Sequence, residues 1–412
     1  MHIEAEIVSE RAESVWSQKL QQIVDEQFER IRQVRRHLHR QPEPSGEEFQ
    51  TSLYLAERLA EFGLETKLGP EQRGVMVDLG NEAPRLGLRA DIDALRIHDD
   101  KQVDYCSSVD GVMHACGHDA HSATVFGALA TLTVMQKRNA LPWPVNCRGI
   151  FQPAEETNRG ALEMIEAGAL EGLHSLLGVH MDPSRMVGTI GVRQGDFTAD
   201  CHEMRIEVTG RGAHAARPHE AIDPISATAQ LISSIYLFVP RGTNSQDPVV
   251  VTFGQIEGGY APNAIPDKVV VRGTLRTLDT GVSEATMRHI DRLIRGIAEA
   301  SETQITIEWT SGPPPVKNDR DLTRLLIQSG RDTIGSENVK TIPRASMGGE
   351  DFANYLTQVL GAMFRLGCAR ADNAPPLHSS LFDIDEESLR VGAKVLAYGA
   401  ILWHDPQRKI TD

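Results

Sequence analysis

Apolar residues recur at helical spacing in the first part of the chain. Val15, Leu20 and Ile23 begin a pattern that predicts an amphipathic helix over 11–40, and Pro42 is expected to end it. Short apolar runs follow, each bounded by polar residues or glycine. Runs of this length and composition are typical of buried strands.

Strands and helices then alternate through the first half of the chain. The predicted strands lie at 64–68, 73–79, 85–90, 145–151 and 174–180, and the predicted helices at 47–62, 120–136 and 160–167. This alternation predicts an α/β fold, with a mostly parallel sheet that carries helices on both faces. Several strands end at a polar residue, and open α/β sheets place their sites at these carboxyl ends.

A different order of elements begins near residue 195. Strands are predicted at 200–209, 248–256, 267–277 and 303–309, with helices at 222–238 and 283–301. This is the β-α-β-β-α-β order of ferredoxin-like domains. A helix at 320–334, a strand at 360–367 and a helix at 385–402 follow it. We therefore predict a catalytic domain from 1–195 and 313–412, and an inserted ferredoxin-like α+β domain over 196–312.

Composition narrows the classes of partner. The 412 residues carry a formal net charge of −15, which disfavours nucleic acid and anionic membranes as partners. No apolar run approaches the ~18 residues of a membrane span, and the charged N-terminal segment lacks the apolar core of a secretory signal. The five scattered cysteines argue against a disulfide framework. We therefore expect a cytoplasmic protein.

The densest group of metal-binding residue types lies in the stretch His114–His121. It holds three histidines, Cys116 and Asp119. Imidazole and thiolate groups bind zinc and similar ions, and a neighbouring carboxylate adds a ligand or orients one. Gly117 lets the backbone bend so that Cys116 and His118 turn toward one centre. The stretch therefore predicts a metal site, although it names no reaction.

Carboxylates stand at the predicted strand ends. Asp91 and Asp93 follow one strand, and Glu155 and Glu156 follow another. Adjacent residues at a strand end point to opposite sides. One glutamate of the pair is then available to bind metal while the other acts as a general base.

The chain resembles the aminoacylase/carboxypeptidase family of dinuclear metallohydrolases, in the branch of N-acyl-amino-acid amidohydrolases, hippurate hydrolases and auxin–amino-acid conjugate hydrolases. The resemblance covers nearly the whole chain. It is carried, in order, by residues 88–95, 114–121, 151–156, 212–219, 263–267, 273–276, 349–352 and 377–379.

The resemblance implies a role for each matching residue. The family's five ligands for two metal ions match Cys116, His118, Glu156, His180 and His378, with Cys116 bridging the ions as a thiolate. Glu155 matches the general base, and Asp93 matches the acid that orients a ligand. His214 matches the residue that stabilises the oxyanion, often in the active site of the partner subunit. Asn263 and Arg276 match the pair that holds the substrate's carboxylate.

The implied activity is metal-dependent hydrolysis of the amide bond in N-acyl-L-amino acids, which releases a carboxylic acid and a free amino acid. The alternatives are a dipeptidase or carboxypeptidase-type metallopeptidase and a non-catalytic metal-binding protein. Zinc is the favoured metal because of the thiolate and imidazole ligands, with manganese, cobalt or nickel as alternatives. Relatives often dimerise through the inserted domain, so we expect a homodimer or higher homo-oligomer.

A few positions depart from the family's pattern or stand beside it. Asp91 occupies the place of a histidine ligand in other branches, and its role is left open. Arg96 stands where relatives carry proline. The stretch Thr157-Asn158-Arg159 replaces a glycine-rich segment and is expected to line the substrate entrance. His114 and His121 are expected to support ligands or cap the helix rather than bind metal.

Overall fold

Helices and strands alternate along the chain in a computed structural model, which describes residues 15–80, 82–83 and 86–408. The helices are α1 Val15–Arg40, α2 Phe49–Ala60, α3 His118–Lys137, α4 Gly160–Glu166, α5 Pro224–Gly242, α6 Thr280–Ser301, α7 Arg320–Ile334, α8 Phe352–Tyr355 and α9 Glu387–Trp403. The strands before residue 200 are β1 Thr66–Leu68, β2 Val75–Leu79, β3 Leu86–Asp91, β4 Cys147–Gln152, β5 Ser175–Met186, β6 Ile190–Val192 and β7 Gly195–Asp196. The later strands are β8 Asp200–Thr209, β9 Ala213–His214, β10 Val249–Gly258, β11 Ala264–Ile265, β12 Lys268–Thr277, β13 Gln304–Ser311, β14 Lys317–Asn318, β15 Val339–Thr341 and β16 Leu360–Ala369.

Contacts divide the chain into two compact units. The first comprises the described residues of 1–194, 318–342 and 355–412, and the second comprises 195–317 and 343–354. The segment 343–354, which the predicted division assigns to the catalytic domain, groups with the second unit. Backbone hydrogen bonds hold it there, from Ala199 N–H to Gly348 C=O and from Ser346 N–H to Phe197 C=O.

The first unit is built on an eight-stranded sheet in the order β1-β2-β4-β3-β5-β16-β6-β15. Its centre is parallel, since β3 pairs in parallel with β4 and β5, and β16 with β5. Antiparallel pairing is found where β1 and β2 join the sheet and between β16 and β6. The prediction of an α/β fold with a mostly parallel sheet is confirmed. The parallel centre places the ends of β3, β4 and β5 at one edge.

Helix α3 is the central helix of the first unit and is buried almost all round. Its small residues allow close approach of its neighbours: a Cβ at Gly127 would meet Ile31 of α1 and Ala393 of α9 at 2.6–3.1 Å. The buried stripes of α1 and α9 join α3 in one apolar core. This packing fixes the start of α3, where His118 lies.

The second unit contains the predicted β-α-β-β-α-β unit. Its four-stranded sheet has the order β10-β12-β8-β13, and every pairing in it is antiparallel. Helices α5 and α6 bury apolar stripes against one face of this sheet, around Ile206, Leu231, Val271 and Ile290. The prediction of an additional ferredoxin-like α+β fold is therefore confirmed.

Most predicted elements differ from the observed ones only at their ends. The first helix begins at Val15 as described, and residues 11–14 of the prediction lie outside the described residues, as does Arg85. Strand β5 continues to Met186, beyond the predicted 180. Short strands such as β6 and β15 are absent from the prediction, because three residues carry too little periodicity. No helix in the described ranges is both long and apolar enough to cross a bilayer.

Candidate metal centre

The five predicted metal ligands converge within the first unit. Cys116, Glu156 and His378 each offer a ligand atom, and these three atoms lie within 4.8 Å of one another. The Sγ of Cys116 is 3.7 Å from Nε2 of His180. Nε2 of His118 is 3.9 Å from Oε1 of Glu156. Residues spread over more than 260 positions of sequence therefore face one small volume.

The backbone around the ligands adopts conformations that aim them inward. Gly117 precedes α3 with φ +86°, a left-handed value, and an added Cβ there would meet Met181 at 3.0 Å. Glycine thus lets Cys116 and the first helical residue share one side of a sharp bend. His378 is also left-handed, with φ +64°. Its N–H donates to the Ala115 C=O at 2.8 Å, which ties the loop of His378 to the loop of Cys116.

Hydrogen bonds fix which ring nitrogen of each buried histidine faces the site. Nδ1 of His118 lies 2.9 Å from the backbone oxygen of Asp93 and 3.1 Å from its Oδ1. Nδ1 of His180 lies 2.8 Å from the Met181 C=O. Both partners are acceptors, so both Nδ1 atoms must donate. The Nε2 atoms are left as the lone-pair donors, which is the arrangement found in metal-ligating histidines.

Two buried atoms at the centre lack hydrogen bonds within the described chain. Nε2 of His118 and Oε1 of Glu156 have no hydrogen-bond partner, and Oε1 lies 3.4 Å from Nε2 of His378. Buried polar atoms are nearly always satisfied, so such a pair indicates an additional binding partner. Imidazole, thiolate and carboxylate donors at these distances fit a divalent cation. The residues present therefore suit metal binding.

Glu155 and Glu156 lie on a turn that is held from two sides. Ala154, which precedes them, is left-handed with φ +51°, and its N–H donates to Oε1 of Glu48 at 2.7 Å. The N–H of Glu156 donates to Oδ2 of Asp93 at 3.0 Å. Oε2 of Glu155 lies 3.9 Å from Nε2 of His118. The turn thus presents both carboxylates to the cluster.

The residues that hold this turn include two that the sequence did not reveal. Glu48 is fully buried, and its Oε1 also accepts from the Gly46 N–H at 2.9 Å. Ser45 donates its hydroxyl to Oδ2 of Asp93 at 2.6 Å. A glutamate at the start of a helix is usually exposed to solvent. The sequence offers one signal for Ser45 and Glu48, which is that Pro44 and Gly46 beside them mark a loop.

Asp91 and His121 form a fully buried pair beside the ligands. Oδ1 of Asp91 lies 2.6 Å from Nδ1 of His121, and Oδ2 accepts from Nη1 of Arg89 at 2.8 Å. Nε2 of His121 accepts the Met181 N–H at 2.8 Å. His114 is also fully buried, and burial lowers its pKa to about 4. His121 lies beside the predicted ligands, with its ring centroid 4.8 Å from that of His180, and both of its ring nitrogens have other partners.

The electrostatics of the site favour negative aspartates. Burial alone would raise the pKa of Asp91, but His118, His121 and Arg89 hold it well below its ordinary value. Burial likewise opposes ionisation of Asp93, and the hydrogen bond and charge of His118 lower its pKa. Both aspartates are therefore ionised at neutral pH.

The ligand side chains respond to the same field. Burial would lower the pKa of His118, yet Asp91, Cys116 and Asp93 raise it well above its ordinary value. Burial raises the pKa of the Cys116 thiol and lowers that of His180. Because Nδ1 of His118 already donates, a proton and a cation compete for Nε2. Metal affinity should therefore weaken as the pH falls.

His214, Asn263 and Arg276 belong to the second unit. The Ala216 N–H donates to Nδ1 of His214 at 3.1 Å, so the neutral ring carries its proton on Nε2. Strand β9 pairs His214 with Ala264, which places Asn263 next to the histidine. Arg276 lies on β12 and donates from Nη1 to the Met347 C=O at 2.9 Å. Its guanidinium has further N–H donors.

Of the positions that depart from the family pattern, Asp91 is fully buried, whereas Arg96 and residues 157–159 are on the surface. Arg96 is exposed and pairs with Glu47. Thr157, Asn158 and Arg159 are exposed after the glutamate turn, and Asn158 is left-handed with φ +57°. The replacement of glycine at this turn is accommodated by asparagine, one of the residues that best tolerates this conformation.

The sequence matches the profile of peptidase family M20/M25/M40 over residues 87–400. N-acetyl-L-cysteine deacetylase of Bacillus subtilis is 37% identical over 384 residues, which cover 92% of this chain and 90% of the relative. An IAA-amino acid hydrolase of Arabidopsis thaliana is 34% identical over 88% of this chain and 83% of the relative.

A solved structure has the same fold. The crystal structure of a Bacillus subtilis protein, described as a dinuclear metal-binding peptidase from the M20 family, matches with a TM-score of 0.78 and 32% sequence identity. The match covers 92% of this chain and 99% of that protein. Ser45 and Glu48, which hold the glutamate turn, lie outside the residues that the family profile covers.

Proposed function

The chain belongs to peptidase family M20/M25/M40, and from this premise we propose that it hydrolyses the amide bond of N-acyl-L-amino acids. The products are a carboxylic acid and a free amino acid. Relatives named as a deacetylase of N-acetyl-L-cysteine and as a hydrolase of IAA-amino acids support this substrate class. The chain is a metal-dependent amidohydrolase. The proposal leaves the acyl group of the substrate to be identified by experiment.

One observation carries the proposal: a buried cluster of thiol, imidazole and carboxylate donors lies beside a second carboxylate. Five residues would hold two divalent cations: Cys116, His118, Glu156, His180 and His378. Zinc is favoured by the thiolate and imidazole donors, with manganese, cobalt or nickel as alternatives. Bound cations supply Lewis-acid polarisation of the scissile carbonyl and make a water molecule more acidic.

Glu155 is proposed as the general base. Its Oε2 lies 3.9 Å from Nε2 of His118. It takes a proton from the attacking water and returns it to the leaving amine. Asp93 holds His118 and the Glu156 backbone at once, which keeps base and ligands in register.

The second unit is proposed to recognise the substrate. His214 carries a proton on Nε2 that suits donation to the oxyanion of the tetrahedral intermediate, a contribution of about 3–4 kcal/mol for one such donor. Arg276 and Asn263 are proposed to bind the free carboxylate of the amino acid. A planar guanidinium is suited to two parallel hydrogen bonds with a carboxylate.

The proposal is tested with a panel of N-acetyl and N-benzoyl amino acids and dipeptides. We expect the metal-reconstituted protein to hydrolyse the acyl-amino acids in preference to the dipeptides. Chelation should abolish turnover, and addition of zinc or manganese should restore it. Full activity after exhaustive chelation would overturn the metal-dependent mechanism, and faster hydrolysis of dipeptides would identify a dipeptidase instead.

We further propose a homodimer formed through the second unit, in the cytoplasm. Strand β10 is an edge strand with exposed Val250 and Ile256, and helix α5 exposes Tyr236, Leu237 and Phe238. Tyr236 lies against β10, where its ring meets Phe253 edge-on. An exposed edge with apolar side chains is suited to pairing with a second copy.

The five free cysteines support the proposed location in the cytoplasm, which is a reducing compartment.

A further inference from the structure

Asp91 and His121 are buried beside the ligand cluster, and the proposed mechanism gives neither of them a task. We propose that they form a positioning pair that fixes the orientation of His180 through the backbone of Met181. This inference rests on the proposed function, because His180 matters only if it binds a cation. The pair lies wholly within the first unit.

The direction of both hydrogen bonds of the His121 ring is fixed by their partners. The Met181 N–H is a donor only, so Nε2 of His121 must accept it at 2.8 Å. The neutral imidazole then carries its proton on Nδ1, which faces Oδ1 of Asp91 at 2.6 Å. The hydrogen bond to Met181 therefore requires the same tautomer of His121 as the hydrogen bond to Asp91. Asp91 sets the tautomer of His121, as carboxylates do for functional histidines.

Met181 connects the pair to the ligand. Its N–H is held by His121, and its C=O accepts from Nδ1 of His180 at 2.8 Å. The backbone of Met181 is thus held by His121 at its N–H and orients the imidazole of His180 at its C=O. The rings of His121 and His180 also pack with centroids 4.8 Å apart. Rotation of His180 would require movement of both neighbours.

Asp91 itself is held rigidly. Nη1 of Arg89 donates to its Oδ2 at 2.8 Å, and Nε of Arg89 donates to Gln152 at 2.9 Å. The hydroxyl of Ser122 donates to the Asp91 C=O at 2.9 Å. Arg89, Asp91 and His121 are all fully buried. The pair therefore connects the proposed ligand His180 to buried, hydrogen-bonded residues of the β-sheet.

A competing interpretation is that Asp91, His118 and His121 themselves hold a cation, because they offer atoms within 4.8 Å of one another. The hydrogen bonds argue against it. Oδ1 and Oδ2 of Asp91 face His121 and Arg89, and both ring nitrogens of His121 have partners. A cation there would have to take Nε2 of His121 from the Met181 N–H or Nδ1 of His121 from Asp91.

The test compares His121→Leu and His121→Gln with the unsubstituted protein. Leucine removes the acceptor for the Met181 N–H, whereas Oε1 of glutamine restores it without the link to Asp91. We measure the number of bound zinc ions, the Co²⁺ affinity by competition with a chelating dye, and the Co²⁺ absorption spectrum. His121→Leu should lower the affinity for one of the two ions by roughly 10–100-fold and alter the visible cobalt bands. His121→Gln should recover most of the affinity.

His114→Leu is the matched control. It makes the same change at a fully buried histidine of the same stretch, and neither His114 ring nitrogen has a hydrogen-bond partner among the described residues. Its cobalt spectrum and affinity should match those of the unsubstituted protein. Asp91→Asn supplies an independent arm, because an amide cannot accept from both His121 and Arg89 without losing one bond. It should shift the cobalt spectrum in the same direction as His121→Leu.

The outcomes separate the two proposals. If the unsubstituted protein fails to bind two ions, the proposed function fails. If it binds two ions, and folded His121→Leu and Asp91→Asn bind cobalt with unchanged affinity and spectrum, the positioning pair is refuted. Three ions in the unsubstituted protein and two in His121→Leu would also refute it, in favour of direct ligation. If His121→Leu does not fold, Asp91→Asn and His121→Gln decide the question.

Discussion

At the scale of single residues, some side chains at the centre are proposed to bind metal and one is proposed to transfer a proton. Glu155 and Glu156 are adjacent in sequence, yet only Glu156 lies close to both Cys116 and His378. Each glutamate has one carboxylate oxygen 3.9 Å from Nε2 of His118. Replacement of Glu155 should therefore affect proton transfer while leaving ligation intact.

We expect Glu155→Gln to lower kcat by roughly 10²–10⁴-fold, the range lost with a general base. The amide keeps the size of the carboxylate but cannot take the proton, so the content of bound metal should stay unchanged. Steady-state kinetics and elemental analysis of the same preparation check both statements. Glu166→Gln, at an exposed position of α4, is the control. Unchanged turnover in Glu155→Gln would show that another group is the base.

Arg276 offers a separate prediction about substrate recognition. Removal of a hydrogen bond to a charged group costs about 1.5–3 kcal/mol, so Arg276→Met should lower kcat/KM roughly 10–150-fold for substrates with a free carboxylate. Substrates whose carboxylate is an amide should lose much less. Arg272→Met, four residues away on the same strand, is the matched control. Equal losses on both kinds of substrate would contradict the assignment.

At the level of elements, a loop before α2 holds the turn that carries Glu155 and Glu156. Glu48→Ala removes the acceptor of the buried Ala154 N–H and of the Gly46 N–H, which belongs to an exposed residue. A buried donor left unsatisfied costs about 1–3 kcal/mol. We therefore expect a loss of roughly 1–3 kcal/mol in the free energy of unfolding and a lower kcat, measured by urea titration and kinetics. Glu47→Ala, at the exposed neighbour, should change neither.

Helix α1 contributes a buried ion cluster to the core of the first unit. Arg35 lies 2.9 Å from Asp119 and 3.0 Å from Asp383. Burial would raise the pKa of Asp383, but the charge of Arg35 and the hydroxyl of Tyr105 hold it below its ordinary value. Because the folded-state pKa is depressed, the resulting stability is present above the unfolded pKa of about 3.9 and is lost as the pH falls through the folded pKa.

This sign predicts the acid response of the metal-free protein. The free energy of unfolding should decline as the pH is lowered from about 5 toward 2, and Asp383→Asn should flatten that decline. Denaturant titrations at several pH values in the presence of chelator measure the slope. Asp104→Asn, at a mostly exposed carboxylate, should leave the slope unchanged. A slope that is the same in all three proteins would show that Asp383 is not linked to folding.

The elements also mark how far the sequence could predict the structure. The long, strongly periodic helices and the apolar strands were predicted with small errors at their ends, because their burial imposes a pattern over many residues. The candidate ligands could be proposed from the sequence because their residue types and their motif are typical of metal binding. The contacts of Ser45 and Glu48 could not be predicted, because their partners lie far away in the sequence. Asp93 is 48 positions from Ser45, and Ala154 is 106 positions from Glu48. Such bonds depend on the tertiary packing of polar groups, which leaves no periodicity in the chain.

For the molecule as a whole, the apolar edge of the second unit predicts self-association. Leu237 is 60% exposed on α5, and Leu162 is 50% exposed on α4 of the first unit. Leu237→Glu places a charge on the proposed interface and should shift the protein toward the monomer in sedimentation velocity. Leu162→Glu adds the same charge elsewhere and should leave the dimer intact. A monomeric unsubstituted protein would contradict the proposed interface.

The left-handed backbone at His378, tied to the loop of Cys116, has a consequence for how the protein matures. The whole second unit lies between Cys116 and this proposed ligand in the order of synthesis. If the five residues bind the cations as proposed, a nascent chain that ends before residue 378 offers an incomplete set of donors. Complete loading with metal would then follow translation of residue 378, and cation uptake would serve as a late marker of maturation in the cell.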